Sequence, residues 1–224
     1  MVEKDKADEL FEQGVTEYSK GNLEKALGYF QEVVDLGSDT IGLWYNIGTI
    51  NRKLKQYGEA ILAYRKALEA KPDSEDIWYN LGRCYWESNQ LDIAITCFEE
   101  VVKLKPTMFE ALYRLAALYQ STRQTDKAIW ANEELVKIEP ESFGSLTNLC
   151  VLYMKKNQLE KALDNCQKAD RILPNDLFVL ALMAEIYLEQ GNKEKAEEKL
   201  LECLAVNPAY IKAKDLLAQL KKTK

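Results

Sequence analysis

The chain has 224 residues, 47% of them hydrophobic and 29% charged, with a formal net charge of −6 and a sequence pI near 5.0. That balance suits a folded protein and disfavours a binder of phosphate backbones, which is normally basic. Histidine is absent and the five cysteines form no Cys-x-x-Cys pair, so Ser-His-Asp and Cys-His catalysis and the commonest metal ligand drop out together.

Residues 1–6 read as an N-terminal tail. The opening MVEKDKADEL has no apolar signal core, and no stretch approaches the roughly 18 apolar residues of a membrane span. Asn-x-Ser/Thr is also absent. The expectation is a cytoplasmic protein, a signal already removed being the alternative.

From Ala7 onward the chain keeps one interval. All five prolines, Pro72, Pro106, Pro140, Pro174 and Pro208, stand 34 residues apart. The same ruler divides the chain without insertions into 7–40, 41–74, 75–108, 109–142, 143–176 and 177–210. Position 20 of every repeat is alanine: Ala26, Ala60, Ala94, Ala128, Ala162 and Ala196. Position 8 is small: Gly14, Gly48, Gly82, Ala116, Cys150 and Ala184. Position 24 reads Phe30, Tyr64, Phe98, Asn132, Cys166 and Leu200.

Within a repeat the apolar positions fall at helical spacing in two blocks, helix A and helix B. Between the blocks stand Gly21-Asn22, Asn89-Gln90, Asn157-Gln158 and Gly191-Asn192, residues that tolerate the left-handed conformation ending a helix. Proline after the second block stops helix B. Small residues at positions 8 and 20 let the two axes approach. One such hairpin cannot bury its apolar face alone, so the repeats are expected to stack on one another.

The pattern Trp44, Ile47-Gly48, Ala60, Tyr64, Ala67, Pro72, and again Trp78, Leu81-Gly82, Tyr85, Ala94, Phe98, Pro106, resembles the tetratricopeptide repeat. The resemblance runs over residues 7–210, about nine-tenths of the chain. It implies an all-α fold, a right-handed superhelical α-solenoid of helix-turn-helix repeats with the A helices lining the concave side. Residues 211–224 read as a C-terminal capping helix, with Leu216, Leu217 and Leu220 covering the sixth repeat. Gln13 and Glu17 replace apolar residues in the first repeat, as expected of an end repeat facing water. Asn132 occupies a core position in the fourth, where backbone bonding or partial exposure must satisfy it.

With the core claiming one side of each A helix, positions 2, 5, 6, 9 and 13 lie opposite. In the resembling family that face receives peptides. The residues it implies here are Tyr45, Asn46, Thr49 and Lys53 in the second repeat, then Tyr79, Asn80 and Arg83 in the third. Tyr113 and Arg114 follow in the fourth, and Asn148 and Lys155 in the fifth. An asparagine amide both donates and accepts, so the row Asn46, Asn80, Asn148 could clamp a peptide backbone whatever the ligand's sequence. It is similar to the asparagine ladder of the family's protein-glycosylating member, from which only the backbone-clamping role is carried over. Tyrosine contributes apolar area with a polar tip. Both rows have a structural reading as well: Asn bonding to neighbouring backbone, Tyr packing between helices.

Arg52, Lys53, Arg83, Arg114 and Lys155 make the middle of this face basic, which suits an acidic ligand segment or a terminal carboxylate. Arg83–Glu87 and Glu110–Arg114 are also i,i+4 pairs that support their own helices. The family's co-chaperone carboxylate clamp is absent, since its positions hold Phe11, Val15, Asn46, Asp76 and Asn80, or Tyr45, Thr49, Asn80, Glu110 and Arg114. The cysteines, Cys84, Cys97, Cys150, Cys166 and Cys203, read as buried small hydrophobes without a redox role. No cofactor or metal is implied. The functional expectation is a non-catalytic protein–protein interaction module whose groove binds a peptide segment of a partner, in the manner of an adaptor. The alternative is a scaffold that self-associates through an end repeat or the convex face around Leu62 and Trp130.

Overall fold

A computed structural model describes residues 2–222 of the chain, and among them every regular element is an α-helix. The helices are α1 (Val2–Ser19), α2 (Leu23–Asp35), α3 (Ile41–Lys53), α4 (Tyr57–Ala70), α5 (Glu75–Glu87), α6 (Leu91–Leu104) and α7 (Phe109–Ser121). They continue as α8 (Thr125–Ile138), α9 (Phe143–Lys155), α10 (Leu159–Ile172), α11 (Leu177–Glu189), α12 (Lys193–Val206) and α13 (Ile211–Lys222). Residues 2–6, expected as a tail, continue α1 to its start. The chain divides early in α7 into two compact units, Met1–Ala111 and Leu112–Lys224.

Each hairpin closes in the same way. Position 15 takes positive φ in all six turns: Gly21 (84), Lys55 (61), Asn89 (62), Arg123 (59), Asn157 (56) and Gly191 (76). The next amide then reaches back five residues to the carbonyl of position 11, as in Asn22 to Glu17 at 3.0 Å, Gln56 to Asn51 at 2.8 Å and Gln158 to Tyr153 at 2.9 Å. This is the Schellman closure, which satisfies a carbonyl orphaned at the helix end. Tryptophan at position 4 ties down the loop entering helix A: Trp78 Nε1 donates to the Pro72 carbonyl at 2.8 Å, and Trp44 Nε1 donates to Asp39.

In the first unit α1 packs on α2, α3 on α4 and α5 on α6, and the hairpins join through α2–α3 and α4–α5. At each crossing a position-8 glycine faces a buried position-24 aromatic. A Cβ on Gly14, Gly48 or Gly82 would stand 2.7 Å from Phe30, 2.8 Å from Tyr64 or 3.0 Å from Phe98. Glycine is required there by the close approach.

The second unit packs α8 on α9, α9 on α10, α10 on α11 and α11 on α12. In α9–α10 the two positions are cross-linked: Cys150 and Cys166 form a disulfide with their Cα atoms 5.5 Å apart. This corrects the reading of all five cysteines as inert thiols. Two residues at the closest approach of antiparallel helices meet the distance a disulfide needs. Cys84, Cys97 and Cys203 remain free and buried, and burial pushes their thiols up to about 12, 12 and 11. α13 closes the unit, with Ala213 and Leu217 packed on Leu180, Ala184, Leu200 and Cys203.

Glu17 departs from expectation. It is buried, not turned to water. Its carboxylate accepts from Asn22 Nδ2 at 2.7 Å and Lys20 Nζ at 2.9 Å, with Lys25 Nζ at 3.3 Å. These bonds, that from Asn22 foremost, hold its carboxyl down at about 2.

Candidate functional site

In the first unit the A-helix face is built from α1, α3 and α5. Tyr45 and Tyr79, at position 5, lay their rings against the position-24 aromatic of their own hairpin. The centroids lie 5.9 Å apart for Tyr45–Tyr64 and 5.6 Å for Tyr79–Phe98. Phe11 meets Phe30 in the same way at 5.3 Å. The rings are thus part of the packing, and both tyrosines are half-buried.

Polar bonds then join successive A helices. Asn80 Nδ2 donates to the Tyr45 hydroxyl at 3.1 Å and to its own helix at the Asp76 carbonyl at 2.9 Å. Both amide hydrogens are engaged, so Oδ1 is the atom through which Asn80 would accept a ligand N–H. Burial raises the Tyr45 hydroxyl above its ordinary range, so it stays protonated and can donate in turn. Lys53 places Nζ 4.3 Å from the centre of the Tyr18 ring. Arg52 Nη1 reaches Glu87 Oε1 at 3.2 Å, and Arg83 Nη2 reaches the same oxygen at 3.5 Å. Arg83 also lies over Tyr79, 6.0 Å from its centroid.

Thr49 is turned inward. Its Oγ1 bonds the Tyr45 carbonyl at 2.9 Å and shares a hydrogen bond with the buried Tyr64 hydroxyl at 3.0 Å. Asn46 is half-buried on the same helix. The structure therefore brings Asn80 to Tyr45 and Arg83 to Tyr79, and joins Arg52, expected in the basic middle of this face, to Glu87, expected only as the helical partner of Arg83. A sequence signal for them exists: Tyr18–Lys53, Tyr45–Asn80 and Arg52–Glu87 are each 35 residues apart, one repeat plus one residue.

The second unit treats its expected residues differently. Tyr113 is 55% exposed; the position-24 partner that would pack its ring is Asn132. Asn132 is fully buried, donates Nδ2 to the Ala128 carbonyl at 2.8 Å, and accepts at Oδ1 from Asn148 Nδ2 at 3.3 Å. Asn148 thus serves the core amide. Arg114 is half-buried and Lys155 exposed.

A cleft of about 640 Å³ opens elsewhere in the first unit, among α2, α3 and α4, lined by Trp44, Asn51, Leu62 and Lys66. Lys66 Nζ stands 3.9 Å from the Trp44 ring centroid. Among the described residues no group of three or more His, Cys, Asp or Glu could hold a metal ion, and no helix is long and apolar enough to cross a membrane.

Family models agree with the hairpin geometry. A TPR repeat model matches residues 48–88, and tetratricopeptide repeat models match residues 75–108 and 179–210. No curated protein matches the sequence. Among solved structures, YrrB, described as a TPR protein with an unusual peptide-binding site, superimposes with TM-score 0.70 at 17% identity over 83% of this chain and 96% of that one. MamA from Desulfovibrio magneticus RS-1, residues 41 to the end, gives TM-score 0.62 at 21% identity over 78% and 98%. A tetratricopeptide repeat protein from Parabacteroides merdae ATCC 43184 gives 0.66 at 18% over 97% and 99%. With 34-residue hairpins, Schellman turns and glycine crossings in the same register as the matched repeats, the chain is a tetratricopeptide-repeat protein of the all-α solenoid class.

Proposed function

We propose that the protein is a non-catalytic interaction module whose A-helix face in the first unit binds a peptide segment of a partner protein. One observation carries the reading. In the half-buried row of Tyr45, Asn80, Tyr79 and Arg83, Asn80 bonds Tyr45 across α3 and α5 and Arg83 lies over Tyr79 within α5, while Arg52–Glu87 ties the same two helices, so the polar tips are held in place before any ligand arrives. Pre-ordered side chains cost little further entropy on binding. The peptide-binding site named for YrrB supports the same use of the fold. The six 34-residue repeats and the cap at 211–224 form the domain division of this proposal. The Cys150–Cys166 bridge argues for an oxidising compartment over the expected cytoplasm.

The test begins with peptides selected from a random library on the full chain. Their affinity is then measured on a variant with Tyr45→Phe and Asn80→Ala, which keeps both packing surfaces. A loss of about tenfold or more is expected. Equal binding would move the site off this face. Self-association is the second reading, favoured by Leu62 at 57%, Leu201 at 53% and Ile211 at 72% exposure. Light scattering that shows one copy per particle at high concentration would end it.

A further inference from the structure

Two arginines of the first unit converge on one oxygen. Arg52 comes from α3, Arg83 and Glu87 from α5, and both guanidiniums approach Glu87 Oε1, at 3.2 and 3.5 Å. The side chains are sheltered: Arg52 is 13% exposed, Arg83 29% and Glu87 21%. The trio holds two positive charges against one negative. Nε of Arg52 and Nε of Arg83 are both buried and have no hydrogen-bond partner. A guanidinium presents five N–H donors and no acceptor, and a donor of a charged group left unpaired away from water carries a large desolvation penalty. The neighbours do not relieve it. Cys84, next to Arg83 in sequence, is fully buried and offers only a thiol, and Tyr79 gives Arg83 a ring face. One carboxylate is therefore shared where the donors present could engage a second.

We propose that Arg52 and Arg83 form a subsite for a carboxylate of a bound peptide, with Glu87 orienting both guanidiniums and standing in for the ligand group when none is bound. The inference rests on the reading of this face as a peptide site and names the ligand chemistry there, an acidic side chain or a free chain end. A planar carboxylate matches the guanidinium fork with two parallel bonds. The positions differ from the co-chaperone clamp, which this chain lacks.

The experiment records ¹H–¹⁵N signals of the full chain at the Arg52 and Arg83 Nε–Hε groups and at the Asn80 side-chain amide. Three acetylated alanine peptides of equal length are titrated: one with an amidated end, one with a free carboxyl end, and one amidated with a central glutamate. The arginine signals are expected to move with a carboxylate-bearing peptide and not with the neutral one, and the peptide that moves them identifies the source of the carboxylate. Arg52→Gln should weaken that peptide by about tenfold. Glu87→Gln should tighten it by about threefold, because the internal competitor is gone; this outcome cannot come from misfolding. Arginine signals unmoved by either acidic peptide would overturn the proposal. So would weaker binding by Glu87→Gln, or preference for a phosphoserine peptide over the glutamate peptide. If Asn80 responds to all three peptides while the arginines do not, the carboxylate subsite falls and the peptide face stands. If nothing on α3 or α5 responds to any peptide, both fall.

Discussion

In the first unit each A–B crossing sets a glycine under an aromatic ring, Gly14 under Phe30, Gly48 under Tyr64 and Gly82 under Phe98. The second unit solves the same two positions three other ways: Ala116 with Asn132, Cys150 with Cys166, and Ala184 with Leu200. All of these residues except the glycines of the first unit carry side chains, and every one in the second is buried. The frame keeps both positions of the crossing buried while their chemistry changes. When position 24 is a large ring, position 8 must have no side chain; when position 24 shrinks, position 8 can grow. The consequence reaches the A-helix face. An aromatic at position 24 gives the position-5 ring something to pack on, so Tyr45 and Tyr79 are half-buried, whereas Tyr113, in the repeat whose position 24 is Asn132, is 55% exposed.

The disulfide sharpens this comparison most. It spans 16 residues, so opening it should cost the second unit about 3 kcal/mol through the freedom regained by the unfolded chain. Hydrogen exchange with and without reductant should show α9 and α10 losing protection while α3 and α4 keep theirs. Equal loss in both would mean that the two units do not unfold separately.

Next comes Gly48→Ala. The added methyl would meet the Tyr64 ring at 2.8 Å, and Tyr64 is fully buried with its hydroxyl held by Thr49. The expected loss is about 2 kcal/mol, read from denaturant midpoints, despite alanine's better helix propensity. At Cys150 the same replacement removes the cross-link instead of adding bulk, so the two units should respond to alanine for opposite reasons.

A smaller effect separates the amide crossing from the others. Asn148→Ala would take away the donor to Asn132 Oδ1 inside the core, at a cost of about 1–2 kcal/mol. Asn132→Leu, which copies the Leu200 crossing, should recover much of that loss in the double variant, because no buried amide would remain to be satisfied. A double-mutant cycle on thermal midpoints measures the coupling.

The turns respond alike in the two units and provide the control. Lys55 and Arg123 both hold the left-handed conformation at φ 61 and 59 with a Cβ present. Lys55→Gly and Arg123→Gly should each stabilise by about 0.5–1 kcal/mol. Unequal gains would mean that one of the side chains has a further role.

Much of this was legible because a repeat is a local rule. The 34-residue interval located the hairpins, and Gly21 or Asn157 marked the turns even where Lys55 and Arg123 broke the pattern. The helical spacing assigned Leu217 and Leu220 to the cap. The site was less legible, since what a polar residue bonds is decided by its lateral neighbour. Asn80 and Asn148 share position 6, yet one reaches the hydroxyl of Tyr45 and the other serves Asn132. The cysteine pair was missed because each residue was weighed by its own burial. Read as partners at positions 8 and 24, they occupy the crossing where the first three repeats set a glycine against an aromatic ring. Glu17 was placed at a water-facing end because its type suggested it, whereas Lys20, Asn22 and Lys25 supply a local polar nest for it.

That nest has no counterpart among the tyrosines that fill position 11 farther along, such as Tyr119, Tyr153 and Tyr187, each with a lysine over its ring. It should make the first unit the more acid-sensitive of the two. Glu17 is held at about 2 in the folded chain against 4.5 for a free glutamate, so its contribution is complete above pH 4.5 and is lost as pH falls through 2. The effect ranks last because Lys20 and Lys25 are 57% and 59% exposed, and salt screens them. Acid titrations at low and high salt, followed by exchange in α1–α2 and in α11–α12, test it. Glu17→Gln should flatten the pH dependence of α1–α2 between pH 4.5 and 2 and leave α11–α12 unchanged. A profile that the substitution does not alter would place the acid sensitivity in other carboxylates and erase this difference between the units.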